Sequence, residues 1–108
     1  MARQVNAKLR RQVFGYVLKI PVGRVVTYGD IAGLLGINPR VVGSVMAGIN
    51  DTDLDTLPWH RVVGAGGTIP ALKYGFRGQV QINLLKDEGL EFSENLRIKD
   101  FQEKRFSL

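Results

Sequence analysis

Between Thr27 and Gly48 the chain carries start and stop signals for two short helices, and their spacing narrows the fold more than any other feature. Thr27-Tyr28-Gly29-Asp30 sets an N-cap hydroxyl three residues ahead of a carboxylate, the reciprocal pair that satisfies free amides at a helix start. Ile31, Ala32, Leu34 and Leu35 supply the apolar face of the helix that follows. Gly36-Ile37-Asn38 reads as a turn, and Pro39 suits the first position of the next helix, where an N–H would have no partner. That second helix carries Val41, Val42, Val45 and Met46, with Gly43 and Gly48 permitting close approach. Two short helices joined by a tight Gly-containing turn outline a helix-turn-helix. Helical hairpins also serve as plain core structure, so the outline alone leaves DNA binding open.

Around this centre the signals are coarser. Val5, Leu9, Val13, Phe14, Val17, Leu18 and Ile20 recur mostly at three- and four-residue intervals and predict a first helix that Pro21 stops. Asp51, Asp53 and Asp55 form a small acidic loop. Val62-Val63 reads as a short strand, with Gly64-Ala65-Gly66-Gly67-Thr68 as a hairpin turn behind it. Gln79 to Glu88 has Val80, Leu84 and Leu85 at helical spacing and ends at Gly89, and Leu90-Glu91-Phe92 reads as a strand. No repeat or linker divides the chain, so one domain is expected over residues 1–108, mainly α with a small β-wing.

Composition excludes several chemistries. With no Cys and a single His, disulfides, thiolate zinc sites and a cysteine nucleophile are ruled out, and no metal or cofactor is expected. No stretch approaches the roughly 18 apolar residues of a membrane span, and no secretory core follows the polar start, so a cytoplasmic or nuclear protein is expected, not a secreted one. Fifteen Lys and Arg against ten Asp and Glu leave a net charge of +5. Arg3, Lys8, Arg10, Arg11, Lys19 and Arg24 precede the first acid, which suits a polyanionic partner. Scattered surface bases would give a similar total.

The blocks Ile20-Pro21-Val22-Gly23-Arg24-Val25-Val26-Thr27-Tyr28-Gly29-Asp30-Ile31-Ala32, Arg40-Val41-Val42-Gly43, Pro58-Trp59-His60-Arg61-Val62 and Leu84-Leu85-Lys86-Asp87-Glu88-Gly89 follow one another in this order. Together they resemble the C-terminal DNA-binding domain of the O6-alkylguanine-DNA alkyltransferases, over about residues 10 to 92. The resemblance implies a winged-helix-like helix-turn-helix domain without the N-terminal domain of many transferases. Transferases of this family read Pro-Cys-His-Arg, where the thiolate takes the alkyl group from guanine O6; here Trp59 stands at that position. An indole nitrogen has its lone pair in the aromatic system, and no other thiol exists, so the chain is similar to the alkyltransferase-like proteins, which bind alkylated guanine without repairing it.

What the resemblance implies can be carried over residue by residue. Tyr28 matches a tyrosine that crowds the target phosphate and favours its rotation. Arg40 matches the arginine that enters the duplex in place of the extruded base. Trp59 and Tyr74 would line the base pocket, Tyr74 standing fourteen residues before Glu88 as in the family. Arg61 joins them in the lesion-binding set, and Gly43 permits approach to the groove. His60 and Glu88 match the pair that helps ionise the thiol; without it they are expected to remain as a vestigial hydrogen-bond scaffold. Asn50 stands one residue out of register with a helix-end asparagine of the family. Trp59 and His60 also suit ordinary core roles.

The implied recognition places the second helix in the minor groove, where little sequence information is available. Affinity would come from backbone contacts, with a steep salt dependence. Specificity would come from flipping the modified guanine, which costs a few kcal/mol and less where pairing is damaged, against about 0.8 kcal/mol for burying one methyl. The implied consequence is a mark for nucleotide excision repair proteins, set by a monomer with no membrane partner. Two other readings stay open: a winged-helix regulator without lesion specificity, and a hydrolase using His60 and Glu88.

Overall fold

The computed structural model describes residues 6–108; Arg3 and Val5, expected on the basic N-terminal segment and the first helix, lie outside the described residues. The first helix, α1, runs Ala7–Val17 and starts on Asn6, whose side chain accepts from the Leu9 amide at 2.8 Å. It stops before Leu18 and Ile20, which continue as a turn ahead of Pro21. Strand β1 is Val26–Thr27, and α2 follows at once as Tyr28–Leu35. The capping box is present in full: the Asp30 amide donates to Thr27 Oγ1, and the Thr27 amide to Asp30 Oδ2, both at 3.0 Å. Thr27→Ala is therefore expected to cost about 1 kcal/mol, read as a lower midpoint in urea unfolding with an unchanged slope.

Gly36, at φ 67°, closes α2, and Asn38 caps α3, Pro39–Ala47, with Pro39 in the first turn as expected. Ile31 and Ala32 of α2 pack with Val42, Val45 and Met46 of α3 in the core. The aspartates read as an acidic loop instead open a short helix, α4, Asp51–Thr56. Asn50 accepts from the Asp53 amide at 2.9 Å, so this asparagine is a helix cap, and carboxylates in a first turn suit the positive end of the helix.

Strand β2, Val62–Val63, pairs in parallel with β1, Val26 opposite Val62 and Thr27 opposite Val63. This corrects the hairpin expected at Gly64–Thr68. The Gly64 amide donates to the Thr68 carbonyl at 2.9 Å, and the chain runs on into a second tight turn, Pro70–Tyr74, without returning as a strand. A parallel partner requires a long crossover, here the whole of α2 to α4, which no local signal announces. Helix α5 is Arg77–Asp87, closed by Gly89 at φ 96°. The strand expected at Leu90–Phe92 reduces to one bridge, Phe92 to Ile98. A last turn of helix, α6, Phe101–Lys104, leads to Arg105, which bridges Val25, and the Phe106 amide donates to the Val25 carbonyl at 2.7 Å.

The result is mainly helical with a small two-stranded sheet. That sheet divides the core. Val26 and Val62 point into a cluster with Val13, Val17, Ile31 and Val45, while Val25 and Val63 point into a second with Ile82, Leu85 and Ile98. Side chains alternate across a strand, so one register serves both clusters.

Candidate nucleic-acid interface

A cavity of about 740 Å³ opens where α3, the tight turn Trp59–Arg61, the turn Pro70–Tyr74 and the start of α5 meet. This volume is in the range of sites that enclose a small organic molecule. Four of the sequence-expected residues other than Trp59 line it: Tyr28, Arg40, Gly43 and Tyr74. Tyr28, at the start of α2, is half-buried, and burial pushes its phenol above the ordinary value, so its hydroxyl stays protonated at neutral pH. Arg40, in the first turn of α3, is exposed. One turn on, a Cβ added at Gly43 would meet nothing within 4 Å. Glycine there therefore leaves an open strip on the helix face and relieves no internal contact.

Trp59 forms the wall. Pro58 and the turn that follows bring it in at 8% exposure, against Val62 of β2 and the α3 side of the core. The guanidinium carbon of Arg77 lies 5.8 Å from the centre of its ring, a cation–π contact, and Nη1 of Arg77 donates to the Ala47 carbonyl at the end of α3. Arg77 thus spans the mouth of the cavity. Tyr74, 80% exposed, stands at the rim.

His60, Arg61 and Glu88 do not line this cavity. Arg61, expected with the lesion-binding residues, is 14% exposed and turns its guanidinium to partners within the protein. Nε and Nη2 donate to the Glu88 carboxylate at 2.8–3.1 Å, and Nη1 donates to the Ile20 carbonyl at 2.8 Å. His60 Nε2 lies 2.6 Å from Glu88 Oε2, and the Gly23 amide donates to Oε1 at 2.9 Å. Burial raises the Glu88 pKa, but the Arg61 hydrogen bonds, the Gly23 amide and His60 outweigh it and lower the carboxyl to about 2. This carboxylate is a knot tying the segment before β1 to the turn before β2. Its two oxygens are taken up by Arg61, His60 and the Gly23 amide, away from the cavity. Among the described residues, no group of three or more His, Asp or Glu side chains could hold a metal ion.

Sequence reasoning missed Arg77 and Gln81 as cavity residues. A signal for the second was present. The buried face of α5 is Gly78, Gln81, Ile82 and Leu85, at i, i+3, i+4 and i+7, while Val80, read as part of the apolar face, is 38% exposed. A glutamine on the inner stripe of a helix asks for partners.

Comparison with known proteins points to one family. Residues 8–90 match the family described as 6-O-methylguanine DNA methyltransferase, DNA binding domain. Alkyltransferase-like protein 1 of Schizosaccharomyces pombe is 37% identical over 82 residues, 74% of this chain and 74% of that protein. The DNA base-flipping protein of Escherichia coli is 47% identical over 62 residues, 55% of this chain and 46% of that protein, so the chain spans about half the length of that relative. Among solved structures, that of Schizosaccharomyces pombe Atl1 in complex with damaged DNA containing O6-carboxymethylguanine superposes with a TM-score of 0.81 at 28% identity, covering 97% of this chain and 100% of that one.

Proposed function

Because this chain belongs to the family of the 6-O-methylguanine DNA methyltransferase DNA-binding domain, we propose that it is a non-repairing sensor of O6-alkylated guanine in duplex DNA. The observation that carries this reading is the cavity beside α3, walled by Trp59 in a chain with no cysteine. A guanine rotated out of the duplex enters that cavity, and no thiolate is present to take its alkyl group. The relatives support the rotated base and the lesion: one is named for base flipping, and another is solved with an O6-alkylated guanine in its DNA.

Docking is through the minor groove. The outer face of α3 offers Arg40, Gly43, Ser44 and Ala47, one long polar side chain among small ones. A reader of the major groove needs several long hydrogen-bonding side chains on that face, so the composition of α3 favours a lesion sensor over a regulator that reads sequence. Arg40 fills the space the guanine leaves, and Tyr28 presses on its phosphate. A binder that leaves the lesion intact acts by being found on it. The family resemblance makes the nucleotide excision repair proteins the partners that find it.

Trp59, the sole tryptophan, reports on the cavity directly. Titrating its fluorescence with duplexes containing guanine or O6-methylguanine is expected to show binding tighter by tenfold or more for the lesion, since weakened pairing lowers the cost of extrusion by more than one methyl contributes. DNA recovered afterwards is expected to be unaltered by mass. Equal affinity for both duplexes would leave a general DNA-binding protein, and loss of the methyl group from the DNA would make the chain an enzyme.

A further inference from the structure

Eight large apolar side chains are exposed among the described residues, and four of them, Leu72, Tyr74, Phe76 and Val80, crowd the start of α5. Tyr74 and Arg77 line the cavity; Phe76, between them in the chain and 82% exposed, does not. Its ring therefore stands outside the cavity, beside the mouth. Gly75, at φ 98°, supplies the turn ahead of it. Single exposed apolar residues are ordinary, but the charge around this one is one-sided. Residues 56–86 include no acid and carry Lys73 and Arg77 at this rim, and no residue lining the cavity is acidic. An exposed ring beside an exposed lysine, on a rim without carboxylates, suits a polyanion that also offers flat apolar faces. A nucleic acid is such a partner.

We propose that segment 73–77 is a second duplex contact, across the cavity mouth from Arg40, in which Phe76 enters a base step as an apolar wedge. This rests on the lesion-sensing reading above. Nη1 of Arg77 donates to the Ala47 carbonyl and so ties the segment to the end of α3. Ala47 follows Arg40 by seven residues on that helix, roughly 10 Å at 1.5 Å per residue, the length of about three base steps. A duplex docked along α3 therefore meets Arg40 and Phe76 on the same few base pairs. Arg40 fills the stack where the guanine leaves it. Phe76 opens a nearby step, kinks the duplex and offers a ring face in return for the lost stacking, so the extruded state is held from two sides. Lys73 takes a backbone phosphate, which adds affinity without choosing a sequence.

The test uses the full chain and end-labelled duplexes carrying guanine or O6-methylguanine at one position. Phe76→Ala is expected to bind the O6-methylguanine duplex about tenfold more weakly than wild type, and Phe76→Trp to keep the wild-type affinity. An exposed ring supports little of the fold, so both variants should melt at the wild-type temperature. Phe76→Ala removes no charge and should leave the slope of log affinity against log salt unchanged, whereas Lys73→Ala should make it shallower by about 0.9. Energy transfer between dyes at the two duplex ends reads the kink at saturating protein. Transfer should rise on binding wild type and rise less with Phe76→Ala. Unchanged affinity in Phe76→Ala, or equal transfer with both proteins, would overturn the wedge, and an unchanged salt slope in Lys73→Ala would overturn the phosphate contact. Wild type binding guanine and O6-methylguanine duplexes alike would overturn the lesion-sensing reading instead, and the transfer with and without the ring would still decide the wedge.

Discussion

Arg61→Ala is expected to lower stability by about 3 kcal/mol and the unfolding midpoint by about 15 °C, a larger effect than a half-buried surface arginine would give. Its guanidinium makes four hydrogen bonds, three to Glu88 and one to Ile20. Deleting it leaves the Glu88 carboxylate enclosed with the Gly23 amide and His60 as its remaining partners. Lysine restores a charge but not the fork that meets both carboxylate oxygens, so Arg61→Lys recovers only part of the loss. The pH dependence carries a further signature. The Glu88 carboxyl ionises at about 2 in the folded state against an ordinary 4.5. A depressed carboxylate contributes stability that is complete above the unfolded value and is lost as pH falls through the folded one. The wild-type melting temperature should therefore decline between about pH 4.5 and pH 2, and the decline should be shallower in Arg61→Ala, where the strongest lowering influence is gone. Calorimetry across pH 2–7 decides it: parallel acid limbs for the two proteins would mean that Glu88 is not the group responsible.

Gly78→Ala is expected to reduce lesion affinity at least tenfold while leaving affinity for undamaged duplex nearly unchanged. Alanine at Gly78 would set its Cβ against the Leu72 amide nitrogen, 2.6 Å from Leu72 Cα and 2.8 Å from the Ala71 carbonyl carbon. These are backbone atoms, so either α5 or the turn Pro70–Tyr74 must withdraw. That turn carries Ala71 and Tyr74 on the cavity rim, and α5 carries Arg77 and Gln81. Overpacking costs about 1–3 kcal/mol, and the helix preference of alanine over glycine offsets roughly 1 kcal/mol of it. The protein should remain folded, with its cavity reshaped. Gly43→Ala is the control. Its Cβ meets nothing within 4 Å in the molecule, so stability should hold or rise slightly, whereas affinity for every duplex should fall if, as proposed, this face of α3 meets DNA. Gel-shift or anisotropy titrations with damaged and undamaged duplexes separate the two outcomes. Loss of both affinities in Gly78→Ala would mean that the turn supports the groove-binding face and not the cavity.

The readings that carried over to the structure were those with short-range causes. Thr27 and Asp30 are three residues apart and satisfy each other's amides; Gly36 ends α2 and Asn38–Pro39 begins α3 by the same one-turn logic. Asn50 and Asp53 repeat the pattern, a local signal for α4 that the alternation of the three aspartates masks. The lesion-pocket set divides in the same way. Tyr28, Arg40, Gly43 and Trp59 lie on or beside these helices and meet in the cavity, with Tyr74 at its rim, whereas Arg61 does not line it and is bonded to Glu88 and Ile20 instead.

By itself, then, the sequence determined the helix boundaries around the helix-turn-helix, the absence of a cysteine, and the family, because the first depends on neighbours within a turn, the second on composition, and the third on the order of motif blocks along the chain. Tertiary structure decided the rest. The parallel pairing of Val26 with Val62 joins residues whose contact no local pattern encodes, and it is this pairing that turns Gly64–Thr68 away from a hairpin. Packing of α5 against Leu72 through Gly78 sets where the cavity closes, and the partners of Glu88 turn Arg61 inward. A side chain's direction follows from whichever distant donor, acceptor or apolar surface satisfies it once the chain has closed, and that information is held in the fold.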